Sequence, residues 1–439
     1  MKITAPSIKS LIYILILEIF TSSSCQNTLI INDTGGALGK TNAPVSVEIE
    51  LNNDQVIAAR EGRLALLNSS ADNESDKLIP VQLESIGKET YRIVMMMPEG
   101  GAGLKEFELA EKETSFSSLM SAMHDPESGQ VVIEEAGKKV LQYNYKTVYE
   151  KDVIRFVDEK VEKHTRTKKD TFITSSIYAV PRSDYIHPIY GLEGEMLTRD
   201  WPEGGHPHHR AVFWAWPEVE YGSERGDIYA LQGVLARPTG KIEYTSGPVF
   251  ARIMAENLWM WKDTEPIVRE QAVICVYPAS ATSRIIDLTI KLLALKDSIS
   301  IATRNTDSYG GLNLRMMTPE SQGISFFTDE TNSKPVRAWS DFNGIFAGNK
   351  SVSGLMVLQH KDNPEYPGDW VQYPNLAWVQ PTFPTSGTRY PLSKEKSLIL
   401  RYRLIIHTGG NPDVVISEKS WDAFNDALAP VMAFDEIEE

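Results

Sequence analysis

Apolar and polar positions alternate with period two along much of this chain. Val45-Ser46-Val47-Glu48-Ile49-Glu50-Leu51 is the plainest run. Such alternation puts one set of side chains on a buried face and the other toward water, as in a β-strand. Apolar runs at 81–83, 91–97 and 107–109 continue it at short spacing, punctuated by Asn52-Asn53-Asp54 and Pro98-Glu99-Gly100-Gly101. Residues 28–112 therefore read as a small all-β module, an immunoglobulin-like sandwich. Residues 113–127 read as a linker.

A larger body is expected over 128–439. Val131-Val132-Ile133 and Val140-Leu141-Gln142-Tyr143 flank Glu135-Ala136-Gly137-Lys138, a hairpin signal. Residues 150–170 are dense in charge of both signs and read as a solvated insertion. Ile286, Leu288, Ile290 and Leu292 alternate with Asp287, Thr289 and Lys291, and residues 398–406 form another long strand pattern. One helix is expected near the end, where Trp421, Phe424 and Leu428 share a face after a Ser417 or Ser420 cap and before Pro430. The fold class is thus all-β, a small sandwich followed by a large one with a short C-terminal helix.

Composition narrows the function. The 439 residues carry 44 Lys+Arg against 59 Asp+Glu, a net charge of −15. That balance disfavours a phosphate-binding surface, so nucleic acid is not an expected partner. Two cysteines, Cys25 and Cys275, exclude a disulfide framework and a Cys-rich zinc site. Residues 1–25 read as a secretory segment, with Lys2 and Lys9 before the apolar run Leu11-Ile12-Tyr13-Ile14-Leu15-Ile16-Leu17. Ser22-Ser23-Ser24-Cys25 after it resembles a lipoprotein signal, with Cys25 as the lipid attachment point. The expectation is a periplasmic or outer-membrane lipoprotein that touches a membrane only through its anchor.

The chemistry concentrates in histidine. Four of the eight His lie between residues 187 and 209. If 206–209 is extended, His206 and His208 share a face and His209 takes the other. Two such imidazoles can bind one divalent metal, or act as an acid and a base. Asp200, Glu203 or Glu218 is placed to orient a ring or complete a metal site. A structural hydrogen-bond hub is the other reading of the same cluster. His360 and His407 sit at strand ends, where catalytic groups gather. Trp214 and Trp216, then Trp259, and then Trp370 in the Pro-rich stretch 364–384 offer rings suited to sugar faces, or else to core packing. Arg199, Arg210, Arg252, Arg304 and Arg315 are candidates for a uronate carboxylate.

His187-Pro-Ile-Tyr190-Gly, His206-Pro-His-His-Arg210, Trp339-Ser-Asp-Phe-Asn-Gly344, His360-Lys-Asp-Asn-Pro364 and Tyr402-Arg-Leu-Ile-Ile-His407 together resemble a family of bacterial secreted proteins over residues 128–430. That family has been labelled both "methane oxygenase PmoA" and a domain of unknown function. Ala211 and the acidic run from Glu218 to Asp227 depart from its pattern. The oxygenase label conflicts with a chain that has no spanning stretch after residue 25. The resemblance implies a galactose-mutarotase-like supersandwich, in which imidazoles and a carboxylate act on a sugar.

The expectation is a carbohydrate-active enzyme of hydrolase, lyase or epimerase type. Its expected catalytic residues are His206, His208, His360, His407 and Asp200. His187, Tyr190, Arg210, Trp214, Trp216, Trp259 and Trp370 are expected to bind substrate. No cofactor is demanded, and a divalent metal on His206 and His208 is compatible with the pattern. The alternatives are a non-catalytic glycan-binding lipoprotein and a soluble metal-dependent oxidative enzyme.

Overall fold

The computed structural model describes residues 28–431 except 70, 72–76, 87–89, 117–118, 153–177, 202–205, 327–337 and 411–412. The secretory segment with Cys25, the carboxylate of Glu203 and most of the charged stretch 150–170 lie outside the described residues. Among those described, antiparallel strands dominate and only three α-helices occur, so the fold is all-β. None of these helices is long and apolar enough to cross a membrane.

The N-terminal module has seven strands in two sheets. One holds, in order, Thr28–Asp33, Gly103–Glu111, Leu64–Leu67 and Leu78–Pro80; the other holds Pro44–Ile49, Tyr91–Met96 and Gln82–Ser85. The four-plus-three count is that of an immunoglobulin-type sandwich, but the strand order differs from it. Two helices, Ala37–Lys40 and Asn53–Arg60, interrupt the strands. The second was legible: Asn52 accepts from Gln55 N–H while Gln55 reaches back to Asn52 N–H, a capping box hidden in what reads as turn punctuation.

The large body pairs two eight-stranded sheets. The first runs Trp370–Tyr373, Trp378–Pro381, Gly311–Arg315, Val212–Ala215, Tyr185–Ile189, Lys138–Asn144, Gln130–Glu135 and Met120–Asp125. The Gln130–Glu135 to Lys138–Asn144 hairpin turns at Ala136 and Gly137, both at positive φ, as the Ala-Gly pair implies. Met120–Asp125 corrects the linker: this strand opens the large body eight residues before position 128. Its pattern is short and partly polar, so only the pairing with Gln130–Glu135 reveals it.

The second sheet carries the longest strands. Its order is Val234–Thr245, Ala251–Trp261, Glu265–Val276, Ser283–Ala294, Leu398–Thr408, Ser353–Gln359, Trp339–Ile345 and Glu320–Phe326. It is covered on both faces. Ala272, Ile274 and Val276 join the core between the two sheets, while Val273 and Cys275 join a separate cluster on the outer face. That outer cluster includes Val94 of the N-terminal module and Phe424 of the C-terminal helix. Double burial explains why the end of this strand, Ala272-Val273-Ile274-Cys275-Val276, reads as an unbroken apolar run rather than an alternation.

The C-terminal helix spans Val414–Phe424 and starts earlier than the sequence suggests. Asp413 is its cap, accepting from Val415 N–H at 2.8 Å. Ser417 and Ser420 instead donate to the carbonyls of Asp413 and Ile416 inside the helix. Leu428 lies past the helix end and packs with the N-terminal module.

Candidate functional site

The His-Pro-His-His segment is a turn, not a strand. His209 N–H donates to His206 O at 2.9 Å, with Pro207 fixing φ at the turn's second position. The turn overturns the face assignment: His209 swings to the side of His206 and His208, and ligand nitrogens of all three lie within 4.8 Å of one another. His206 and His209 stack with centroids 4.8 Å apart, and His208 meets His209 edge-on at 4.6 Å.

Three neighbouring strands and two loops assemble around this turn. The chain leaves it through Arg210 and Ala211 into the strand Val212–Ala215. The strand Gly311–Arg315 pairs beside it, and Arg315 N–H donates to Ala211 O at 2.8 Å. Trp378 stands opposite Arg315 on the next strand and lies 4.8 Å from the His209 ring. Tyr229 packs against both His208 and His209, and its hydroxyl donates to Asn313 Oδ1 at 2.7 Å. Tyr178 lies 5.1 Å from His208, and Tyr309 lies 5.0 Å from Tyr229. Glu218, expected to orient a histidine, instead accepts from Asn305 N–H at 2.8 Å and pairs with Arg389. It steadies the turn that carries Arg304 and Tyr309.

The electrostatics keep the rings neutral. Burial, then the charges of His206, Arg182, Arg304 and Arg315, hold His208 down at about 3. Burial and the same kind of neighbours press His209 well below the ordinary imidazole range, and His206 is lowered by burial and Arg315. A ring titrating near 3 is protonated in about one part in 10⁴ at pH 7, so it is not a proton donor there. It is a lone-pair donor. Among the described residues, His208 Nδ1 and His209 Nδ1 are buried with no hydrogen-bond partner. Buried polar atoms are rarely left so, and a metal ion would satisfy both. A tetrahedral site with Zn–N of about 2.05 Å places its nitrogens about 3.3 Å apart, and the ligand atoms of the three rings lie within 4.8 Å of one another. Three imidazoles suit zinc, copper, iron or nickel. Nearby, burial raises the Asp227 carboxyl to about 6 against the pull of Ala230 N–H and Arg304.

The remaining sequence candidates lie elsewhere. Arg210, with a wholly buried side chain, forms an ion pair with Asp200, and Tyr185 bonds both. That buried unit, in which only Arg210 Nη1 lacks a partner among the described residues, braces the turn through the Asp200–Arg210 bridge. His187 is buried with Nδ1 at 3.1 Å from Thr198 Oγ1, and Tyr190 packs at the core's edge. Trp214 and Trp259 are core residues whose N–H groups donate to Glu270 at 2.6 Å each. Burial, and the adjacent Asp184, push that Glu270 carboxyl well above its ordinary range. Trp216 donates to Phe383 O at 2.7 Å, also in the core. These three rings form no platform for a sugar. Trp370 does line a cavity of about 380 Å³, with Asp307, Ser308 and Asp369, beyond the turn that carries Arg304 and Tyr309.

His360 and His407 do not join the cluster either. His360 abuts Phe424 and its Nδ1 accepts from Asp362 N–H. His407 contacts Asp341 Oδ1 through Nε2 at 2.8 Å, on the outer face of the long sheet.

A family of unknown function (DUF6807) matches residues 130–421 by sequence pattern. The chain belongs to this family. The match covers the large body from its second strand and ends within the C-terminal helix, so the DUF6807 region holds the whole three-histidine turn and the strands that build around it. No curated protein matches the chain. The family description names no activity, so the argument for function rests on the site.

Proposed function

We propose that this DUF6807 protein is a secreted, lipid-anchored carbohydrate-active enzyme whose working centre is a divalent metal held by His206, His208 and His209. The observation that carries the reading is the convergence of three neutral imidazoles, two with buried ring nitrogens that lack a partner among the described residues. A metal in such a site polarises an oxygen or lowers the pKa of a bound water toward neutrality. The chain's own residues would do the rest. Tyr178 and Tyr309 are partly exposed beside His208 and Tyr229 and offer ring faces to a sugar. Asp227, titrating near 6, can hold or release a proton at working pH. Trp378, buried under the exposed Tyr373 ring 4.8 Å away, closes the wall behind His209. The two-sheet body is compatible with the mutarotase-like supersandwich that the sequence resemblance implies, and that likeness supports sugar chemistry by analogy of fold only.

Metal content decides the matter. Plasma mass spectrometry of the purified protein is expected to find about one equivalent of a transition metal. His208→Ala and His209→Ala are each expected to lose it, and His407→Ala to keep it. Metal-free wild type, or metal that survives the His209 change, would sink the three-histidine reading and favour non-catalytic glycan binding.

A further inference from the structure

Among the described residues, Arg315 is a buried cation without an anion of its own. It is 5% exposed, and its Nε and Nη1 are buried with no hydrogen-bond partner. The groups whose charge acts on it are Arg199, another cation, and the Tyr229 phenol; no carboxylate is among them. Other buried arginines also keep single unpartnered nitrogens, at Arg182 Nε and Arg210 Nη1, but each has acceptors on its remaining fork. Arg403 makes two bonds to Asp287 at 2.7 and 2.9 Å, Arg210 pairs with Asp200, and Arg182 donates to the carbonyls of Ile228 and Tyr229. Burial and Arg199 push the Arg315 guanidinium down to about 9, which leaves it charged at pH 7. Burying a guanidinium with no acceptor costs several kcal/mol, and a native fold keeps such a group where something else completes it.

The place of this cation says what completes it. It stands opposite Trp378, whose ring lies 4.8 Å from His209, and its N–H donates to Ala211 O two residues past that histidine, so it borders the proposed metal site, where its charge lowers all three imidazoles. A metal there would add positive charge beside it and deepen the need for an anion. Resting on the carbohydrate reading of that site, we infer that Arg315 is its anion anchor and that the substrate is an acidic sugar, a glycan unit carrying a carboxylate. A planar guanidinium binds a planar carboxylate through two parallel bonds, a fit that a lysine lacks. The aromatic rings beside it suit the apolar face of the same sugar ring. A sulfate ester presents a related oxyanion, so the test separates the two.

The experiment is calorimetric titration of the purified full chain at fixed ionic strength with galacturonate and glucuronate, their methyl esters, and galactose 6-sulfate. At least one uronate is expected to bind, and its methyl ester at least tenfold more weakly. Arg315→Met is expected to erase that preference while keeping the metal. Without ligand, this variant is expected to melt above wild type, because an uncompensated charge has gone. Tighter binding of the sulfate than of either uronate supports the anchor but overturns the carboxylate assignment. Equal binding of acid and ester, no binding of any of these sugars, or a preference that survives Arg315→Met overturns the inference. Should the Met variant fail to fold, Arg315→Lys keeps a charge without the fork and is expected to lose most of the preference. Metal is measured on the same samples. Acid preference without metal sinks the metal reading and spares the anchor, and metal without acid preference does the reverse.

Discussion

His209 differs from its neighbours only through a backbone turn, yet that turn decides whether the site has two imidazoles or three. At this scale the pH behaviour follows directly. Burial first, then nearby cations, hold His208 near 3 in the folded chain, against about 6.5 in an unfolded one. Between those values the unfolded chain binds a proton that the folded chain refuses, so stability falls as pH drops from about 6.5 toward 3. One such ring is expected to cost about 1–2 kcal/mol between pH 6.5 and 5. Urea titrations at several pH values are expected to show this slope, reduced by that amount in His208→Gln. An unchanged slope would mean the ring is solvated. Zinc added at pH 7 is expected to raise the melting temperature, and to do so far less at pH 4.5, where protons compete with the metal.

Elements place side chains that sequence spacing leaves ambiguous. His407 ends the strand Leu398–Thr408 opposite Gly354, and its ring lies over the space a Cβ would fill. A Cβ at position 354 would come within 2.5 Å of His407 Nε2 and 2.8 Å of Phe342 O. Gly354→Ala is therefore expected to displace the imidazole from Asp341 and destabilise the fold by about 2 kcal/mol. The His407 ring signals in NMR should shift while metal content stays the same. If stability and spectrum both survive, the contact is slack. The period-two pattern did expose these strands, because outer positions such as Asp287 and Arg403 pair with each other and still read as polar. It could not say that polar pairs sit on a buried face.

The whole molecule is joined through the outer face of the long sheet. Gln82 of the N-terminal module accepts from Val249 N–H and Phe250 N–H at 3.1 and 3.0 Å, and Glu84 pairs with Arg252 at 2.5 Å. The C-terminal segment binds the same module, where Leu428 O accepts from Ser46 N–H at 2.7 Å. Val273, Met254, Met356 and Ile405 are buried in the cluster under this cover. A chain shortened to residues 113–439 is expected to expose them, bind a hydrophobic dye and aggregate, while the full chain unfolds in a single calorimetric transition. Two separated transitions, or a monomeric and cooperatively folding fragment, would show that the junction is dispensable.

Residue type and short-range period were enough, by themselves, to determine the all-β class, the hairpin at Ala136-Gly137 and the clustering of histidine in residues 206–209. Each depends on local sterics and on one buried face, which adjacent residues encode. Tertiary structure alone decided that Trp214, Trp216 and Trp259 are core, that Asp200 and Arg210 satisfy each other, and that His360 and His407 lie apart from the cluster. It alone left Arg315 beside three imidazoles without a counter-ion among the described residues. The reason is physical: whether a polar group is paired, and which side of a sheet is covered, depends on segments that meet across a hundred residues or more, as Gln82 and Phe250 do.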